Sequence, residues 1–188
     1  MLKRIEEYGK CVEISGFCNV VIGDAPQFLS ALHRDLPENV EVQLMDADLV
    51  ASWQHLYFAV LNALMAHKTK HNISKSLAVE TVLYASAQRQ IKKAIAAIGV
   101  KPTSKNIAAI VIGENAETAK IGLSAITQHI GAQPNEAVLE LSEAKAGRIK
   151  NAFGVSAIEL ETATATGNVE QALVDLILER MALLSTQL

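Results

Sequence analysis

Two hydrogen-bonding side chains, His55 and Asn62, stand two helical turns apart in a segment with little other polar chemistry. On a helical wheel at about 100° per residue, residues 52–67 place a broad apolar side opposite a narrow stripe. That stripe consists of His55, Ala59, Asn62 and Ala66. Its alanines would let a backbone or a flat ring come close. The pattern predicts a surface that holds a ligand. The alternative is that both polar side chains bond neighbouring backbone at a partly buried face.

Residues 75–98 carry a second polar stripe when they are treated as nearly continuous helix. Basic and hydrogen-bonding side chains share one face: Lys75, Ser86, Arg89 and Lys93. Glu80 lies within the opposite, apolar face, where a buried carboxylate is costly unless it is paired or hydrogen-bonded. Its candidate partners are Lys75, Arg89, His55 or backbone N–H groups. Either Glu80 organises the site from behind, or the helix breaks near Ser86. We favour a break, with Glu80 partly buried.

The last helix, from about residue 168 to 184, is apolar on two sides. Beside its core stripe runs a second stripe of Val174, Leu178 and Met181. A helix with this pattern either is wedged into the core or docks on a partner. The sequence therefore offers Val174, Leu178 and Met181 as candidate interface residues, with burial in the core as the alternative.

Enzyme motifs are missing from the sequence. It has no phosphate loop, no Gly-x-Gly-x-x-Gly, no Cys-x-x-Cys and no Gly-x-Ser-x-Gly. His67 and His71 are spaced as metal ligands on a helix, but no third ligand is evident. An acid–base pair of His55 and Glu80 is conceivable, yet no nucleophile or cofactor loop accompanies it. We expect a protein without catalytic residues, cofactor or metal.

The elements that must position these residues alternate without strict βαβ order, which favours an α+β fold in two layers. We expect a small, mainly antiparallel sheet flanked by six to seven helices, in a single domain over residues 1–188. Two short strands are predicted around Gly16 within residues 10–22, and further strands at 40–45, 107–112 and 137–141, and more weakly at 158–162. Helices are predicted at 24–36, 51–67, 75–98, 116–130, 142–153 and 168–184.

The composition bounds the function. Half of the residues are hydrophobic and the net charge is −3, so a basic nucleic-acid-binding surface, if present, must be local. The two cysteines are too few for a disulfide framework. The first 20 residues lack an apolar signal core, and no apolar run reaches the ~18 residues of a membrane span. We expect a cytoplasmic protein that has no membrane contact.

Three segments together carry a family resemblance: LMDADLVASWQHLYFAVLNAL, ISKSLAVETVLYASAQRQIKKAIAAIGV and IAAIVIG. The chain resembles the kinase-binding subunit of the KEOPS complex, the PRPK-binding protein family, in its archaeal form. The similarity is densest over residues 42–113. The resemblance implies a mixed α/β domain that is not an enzyme and that acts in the synthesis of N6-threonylcarbamoyladenosine in tRNA.

The resemblance also implies partners. The subunit would bind the small atypical kinase directly, would meet the transferase and dimerising subunits within the same complex, and would capture the 3′ CCA end of tRNA. Under this interpretation the phosphate contacts fall to Lys75, Arg89 and Lys93. His55, Asn62 and Ser86 would add hydrogen bonds to a base or ribose, and Glu80 would organise the site. The competing hypothesis is a pure protein–protein activator of the kinase without RNA contact.

Overall fold

The computed structural model describes residues 1–164 and 168–186. The chain forms two compact units, one of residues 1–47 and 99–138 and one of residues 48–98 and 139–188. The expectation of a single domain stays a prediction. None of the helices in the described ranges is both long and apolar enough to cross a lipid bilayer.

The first unit is built on a four-stranded antiparallel sheet. Its strands are β1 (Leu2–Ile5), β2 (Lys10–Phe17), β3 (Glu41–Asp46) and β4 (Ile107–Gly113), in the order β1-β2-β4-β3. β4 is buried along its whole length, as its unbroken apolar run predicts. It pairs with β2 through Ile14↔Ile110 and with β3 through Leu44↔Ala109.

Two helices of the same unit, α1 (Ala25–Arg34) and α5 (Ala116–Ile130), supply apolar residues to the core that covers one face of the sheet. Asp24 caps α1, with its side chain accepting from the Gln27 N–H. α5 opens with a capping box between Asn115 and Thr118 and ends at Gly131, which has φ 70°. These caps set both helices close to their predicted limits.

The second unit is helical in its described residues. It contains α2 (Trp53–Thr69), α3 (Leu77–Ala85), α4 (Ile91–Ile98), α6 (Glu143–Phe153), α7 (Ala157–Thr164) and α8 (Val169–Thr186). α3 is the most enclosed of them, with only Val79 more than marginally exposed. It packs on α2, α4 and α8. A short apolar helix of this kind owes its stability to its neighbours rather than to its own propensity.

The α+β class and the antiparallel sheet are confirmed, and the described residues contain eight α-helices where six to seven were expected. Three local predictions were wrong, and one strand was not predicted. Residues 10–17 form the single strand β2, which runs through Gly16, instead of two short pieces around it. Residues 158–162 belong to helix α7, and residues 136–139 form a 3-10 turn instead of a strand. Strand β1 was missed, because its four residues do not alternate and its two central side chains are exposed lysine and arginine.

Candidate functional site

The predicted break near Ser86 is present, and it replaces one long helix by α3, a loop at residues 86–90, and α4. The loop begins as a Schellman motif. The Ala87 N–H donates to the Tyr84 carbonyl at 2.9 Å, and the Gln88 N–H donates to the Leu83 carbonyl at 3.0 Å. Ala87 has φ 50°, in the left-handed region where glycine is the usual residue. The helical wheel drawn through residues 75–98 therefore does not apply across the break.

Glu80 is fully buried, not partly buried as expected, with 1% of its surface exposed. Its Oε2 accepts hydrogen bonds from the Ile73 N–H at 3.0 Å and from the Ser74 N–H at 2.6 Å. Of the candidate partners that the sequence offered for Glu80, the backbone N–H groups are therefore the ones observed. Glu80 holds the loop between α2 and α3, which also carries Lys75. Burial and the nearby Glu80 carboxylate raise the pKa of Tyr84.

His55 lies inside the second unit with no exposed surface, so the stripe on α2 faces inward. The Ala51 N–H donates to His55 Nδ1 at 3.2 Å, and His55 Nε2 contacts the Ala85 carbonyl oxygen at 2.7 Å. Its ring meets Phe153 edge-on at a centroid distance of 5.6 Å. Burial lowers the pKa of His55 to about 4, so the ring is neutral near pH 7. The backbone-bonding alternative for His55 is the one observed.

The other two hydrogen-bonding candidates, Asn62 and Ser86, bond main-chain carbonyls three or four residues earlier. Asn62 is half-buried, and its Nδ2 donates to the Phe58 carbonyl at 2.8 Å. Ser86 is buried, and its Oγ donates to the Leu83 carbonyl at 3.1 Å. In this structure Ser86 and His55 stabilise the protein from within, and neither presents a free polar group at the surface. Of the predicted base-reading side chains, Asn62 alone has solvent exposure.

The basic candidates are all exposed, but they do not share one helix face. Lys75 lies in the loop before α3, Arg89 in the loop after it, and Lys93 on α4. Because α3 has nine residues, its two flanking loops are separated by about 13 Å along its axis. Cations at both ends of a buried helix fit an elongated ligand better than a single phosphate group.

The acid–base hypothesis loses support from the same contacts. Glu80 binds main-chain N–H groups at the start of α3, while His55 binds a main-chain carbonyl at its end. Both side chains are committed to backbone groups. Within residues 1–164 and 168–186, no group of three or more His, Cys, Asp or Glu side chains is arranged to hold a metal ion.

On α8, the core alternative holds for two of the three interface candidates. Val174 is 7% exposed and Met181 is not exposed at all, whereas Leu178 is half-buried. Apolar exposure that the sequence interpretation did not predict occurs on α2, where Phe58 and Met65 are 45% and 54% exposed. Their spacing at i and i+7 was the available signal, but the wheel placed neither residue in the apolar side or in the polar stripe. Leu56, Val60 and Leu64 of the apolar side are buried, as predicted.

The fold and the candidate site define an α+β protein with exposed cations, Lys75 and Arg89, in the two loops that flank the buried helix α3. The model for kinase binding protein CGI-121 matches residues 17–185. The chain belongs to this family. The regulatory protein Cgi121 of Methanocaldococcus jannaschii is 34% identical over 145 residues, which are 77% of this chain and 83% of that protein. The family resemblance is thus confirmed, and it supports a kinase-binding, regulatory role.

Proposed function

We propose that this chain is a non-catalytic subunit of the KEOPS complex that binds the small atypical kinase and recruits tRNA through its 3′ CCA end. It would act in the cytoplasm and meet the transferase and dimerising subunits within the assembly. Family membership supports the kinase partner. The observation that carries the RNA half is the placement of exposed Lys75 and Arg89 on the two loops that flank α3. Buried Glu80 bonds the first loop, and buried His55 bonds Ala85, the last residue before the second.

Single-stranded RNA suits this arrangement for a physical reason. An unpaired 3′ end presents successive phosphates along an extended path, and cations spaced along α3 and α4 can follow it. Braced loops lose less conformational entropy on binding than mobile ones, so a few contacts achieve more. Asn62 is half-buried and remains the candidate for a hydrogen bond to a base or ribose. Modest affinity from few charges is sufficient when other subunits hold the rest of the tRNA.

The test compares a full tRNA with the same tRNA lacking its three 3′-terminal nucleotides, at one low salt concentration. We expect trimming to weaken binding strongly. Lys75→Glu and Arg89→Glu should each reduce binding to full tRNA by about tenfold, from loss of one phosphate contact and a new repulsion. Lys120→Glu is the matched control, since Lys120 is also exposed and lies on α5, outside the candidate site. Equal binding of trimmed and full tRNA would contradict recruitment through the 3′ end.

The kinase half is tested on α8. We propose that Val174, Leu178 and Met181 belong to the kinase-binding region, with Leu178 at the surface and the other two supporting it from the core. Leu178→Arg should weaken kinase binding at least tenfold and leave tRNA binding unchanged. Gln171→Arg adds the same charge at an exposed position of the same helix and serves as control. Unchanged kinase binding by Leu178→Arg would place the kinase elsewhere.

The second candidate function is activation of the kinase without RNA contact. The net charge of −3 favours it, because most stand-alone RNA-binding proteins carry a basic excess. Absence of binding to either tRNA, together with intact kinase binding, would select this function.

A further inference from the structure

At the end of α3, each of the last four main-chain carbonyls has a hydrogen-bond partner, and His55 is the partner of one of them. The last carbonyls of a helix have no partner within the helix and must be satisfied from outside. Here the Val82, Leu83 and Tyr84 carbonyls accept from the N–H groups of the loop that follows. The Ala85 carbonyl is met by the ring of His55, thirty residues earlier in the chain.

The two contacts of His55 define its tautomer. Nδ1 lies 3.2 Å from the Ala51 N–H, which can only donate, so Nδ1 is the unprotonated acceptor. The proton therefore resides on Nε2, which donates to the Ala85 carbonyl at 2.7 Å. The ring joins the segment just before α2 to the point where α3 ends.

The segment that His55 holds is under local strain. Ala87, two residues after Ala85, has φ 50°, a conformation that costs a residue with a Cβ roughly 1 kcal/mol or more. Such a conformation persists only when surrounding contacts determine it. Arg89 follows within the same loop, so the direction of its main chain depends on how firmly Ala85–Ala87 is held.

We propose that His55 is a positioning residue for RNA binding: it holds the Ala85 carbonyl and thereby presents the loop at residues 86–90, with Arg89, in one conformation. This inference rests on the proposed tRNA recruitment and reassigns His55 from contacting RNA to orienting the loop that does so. It predicts that loss of the Nε2 contact matters for RNA affinity, whereas loss of the Nδ1 contact does not.

Two substitutions separate the contacts. In His55→Gln the side-chain amide can reach the Ala85 carbonyl from the Nε2 position, and the Ala51 N–H loses its acceptor. In His55→Asn the side-chain oxygen can replace Nδ1, and the Ala85 carbonyl loses its donor. Each variant loses one buried hydrogen bond, so the two should be similar in stability. Val60→Ala, in the buried face of α2, lowers stability without touching either contact and is the matched control.

Binding of each variant to full tRNA and to the kinase would be measured well below its melting temperature. Amide hydrogen exchange at Ala87 and Gln88 would be followed in parallel. We expect His55→Asn to lose about tenfold in tRNA affinity and to speed exchange at these amides about tenfold. His55→Gln and Val60→Ala should stay within about threefold of the parent in both measurements, and kinase binding should not change.

Equal losses for His55→Asn and His55→Gln, or an equal loss for Val60→Ala, would show that affinity follows overall stability and would overturn the inference. So would unchanged amide exchange in His55→Asn. If the parent protein does not bind tRNA, the proposed recruitment fails, and the exchange data alone then decide whether His55 fixes the loop.

Discussion

At the scale of single residues, a neutral histidine and an ionisable carboxyl group do comparable work at the two ends of α3. Glu80 accepts hydrogen bonds from two main-chain N–H groups in the loop before α3, and His55 bonds the carbonyl of the last residue of α3. Both occupy sites without solvent, where an unpaired polar group costs about 1–3 kcal/mol. Each of these buried hydrogen bonds therefore contributes more to stability than an exposed hydrogen bond would.

The buried state of His55 leads to a prediction about acid stability. Burial lowers the pKa of His55 from 6.5 to about 4. Between pH 4 and 6.5, His55 is therefore protonated in the unfolded chain and neutral in the folded chain. The free energy of unfolding must then fall as the pH drops from 6.5 to 4, by about 3 kcal/mol from this group alone at 1.36 kcal/mol per pKa unit. Above pH 6.5 the group contributes no further change.

Urea denaturation of the parent and of His55→Gln at several pH values from 4 to 8 measures this effect. The parent should lose stability toward acid more steeply than the variant in the window between pH 4 and 6.5. All other titrating groups are common to both proteins, so the difference isolates His55. Parallel pH profiles would mean that the folded protein accommodates the imidazolium and that the burial penalty is small.

At the scale of helices and strands, the sequence predicts best where a local signal terminates an element. In the structure, Asn115 and Gly131 bracket α5, and Ser142 and Gly154 bracket α6, so both helices lie close to their predicted limits. The same signal was present for α7 but was not used. Ser156 and Glu159 form a capping box, with the Ser156 N–H donating to Glu159 Oε2 at 2.7 Å. The alternation of Ile158, Leu160 and Thr162 with two glutamates favoured a strand instead.

The site could be predicted in part, and the part that failed depended on tertiary packing. The break near Ser86 and the involvement of Glu80 follow from the cost of a carboxylate within an apolar face. Which face of α2 lies inward does not follow from its sequence, because apolar residues occur on both. Phe58 and Met65 are exposed while His55 and Ala59 are buried. That choice is made by α3 and α8, which pack on α2.

Two helix glycines lead to opposite predictions for the free energy of unfolding when each is replaced by alanine. A Cβ on Gly122 of α5 would lie 2.5 Å from Val111 Cγ1, so the helix approaches β4 only because this residue lacks a side chain. A Cβ on Gly147 of α6 would meet nothing within 4 Å. We expect Gly122→Ala to destabilise the protein by about 1–3 kcal/mol through overpacking. Gly147→Ala should stabilise it by about 0.5–1 kcal/mol through helix propensity.

Chemical denaturation of the two variants against the parent decides both predictions. Because the substitution is the same, the comparison cancels its effect on the unfolded chain and leaves the packing difference. A neutral Gly122→Ala would mean that Val111 moves aside at little cost. A destabilised Gly147→Ala would indicate that α6 does not adopt regular helical geometry at this residue.

At the scale of the whole molecule, an acidic protein that binds RNA must do so through few phosphate contacts. The chain carries 17 Lys and Arg against 20 Asp and Glu, and the cations assigned to the site are Lys75, Arg89 and Lys93. Each phosphate neutralised on a single strand lowers the slope of log K against log salt by about 0.7. Three contacts therefore predict a slope of about −2, much shallower than that of proteins whose affinity comes mainly from charge.

Titrations with full tRNA at several salt concentrations measure this slope, and charge-neutral variants divide it among residues. Arg89→Gln should make the slope less negative by about 0.7, and Lys75→Gln should do the same, whereas Lys120→Gln should leave it unchanged. His55→Asn distinguishes positioning from charge. If the loop no longer presents Arg89, this variant should make the slope less negative by the same amount as Arg89→Gln, although the substitution removes no charge from the surface. A normal slope with reduced affinity in His55→Asn would mean that Arg89 still reaches its phosphate and that the loss lies in other contacts.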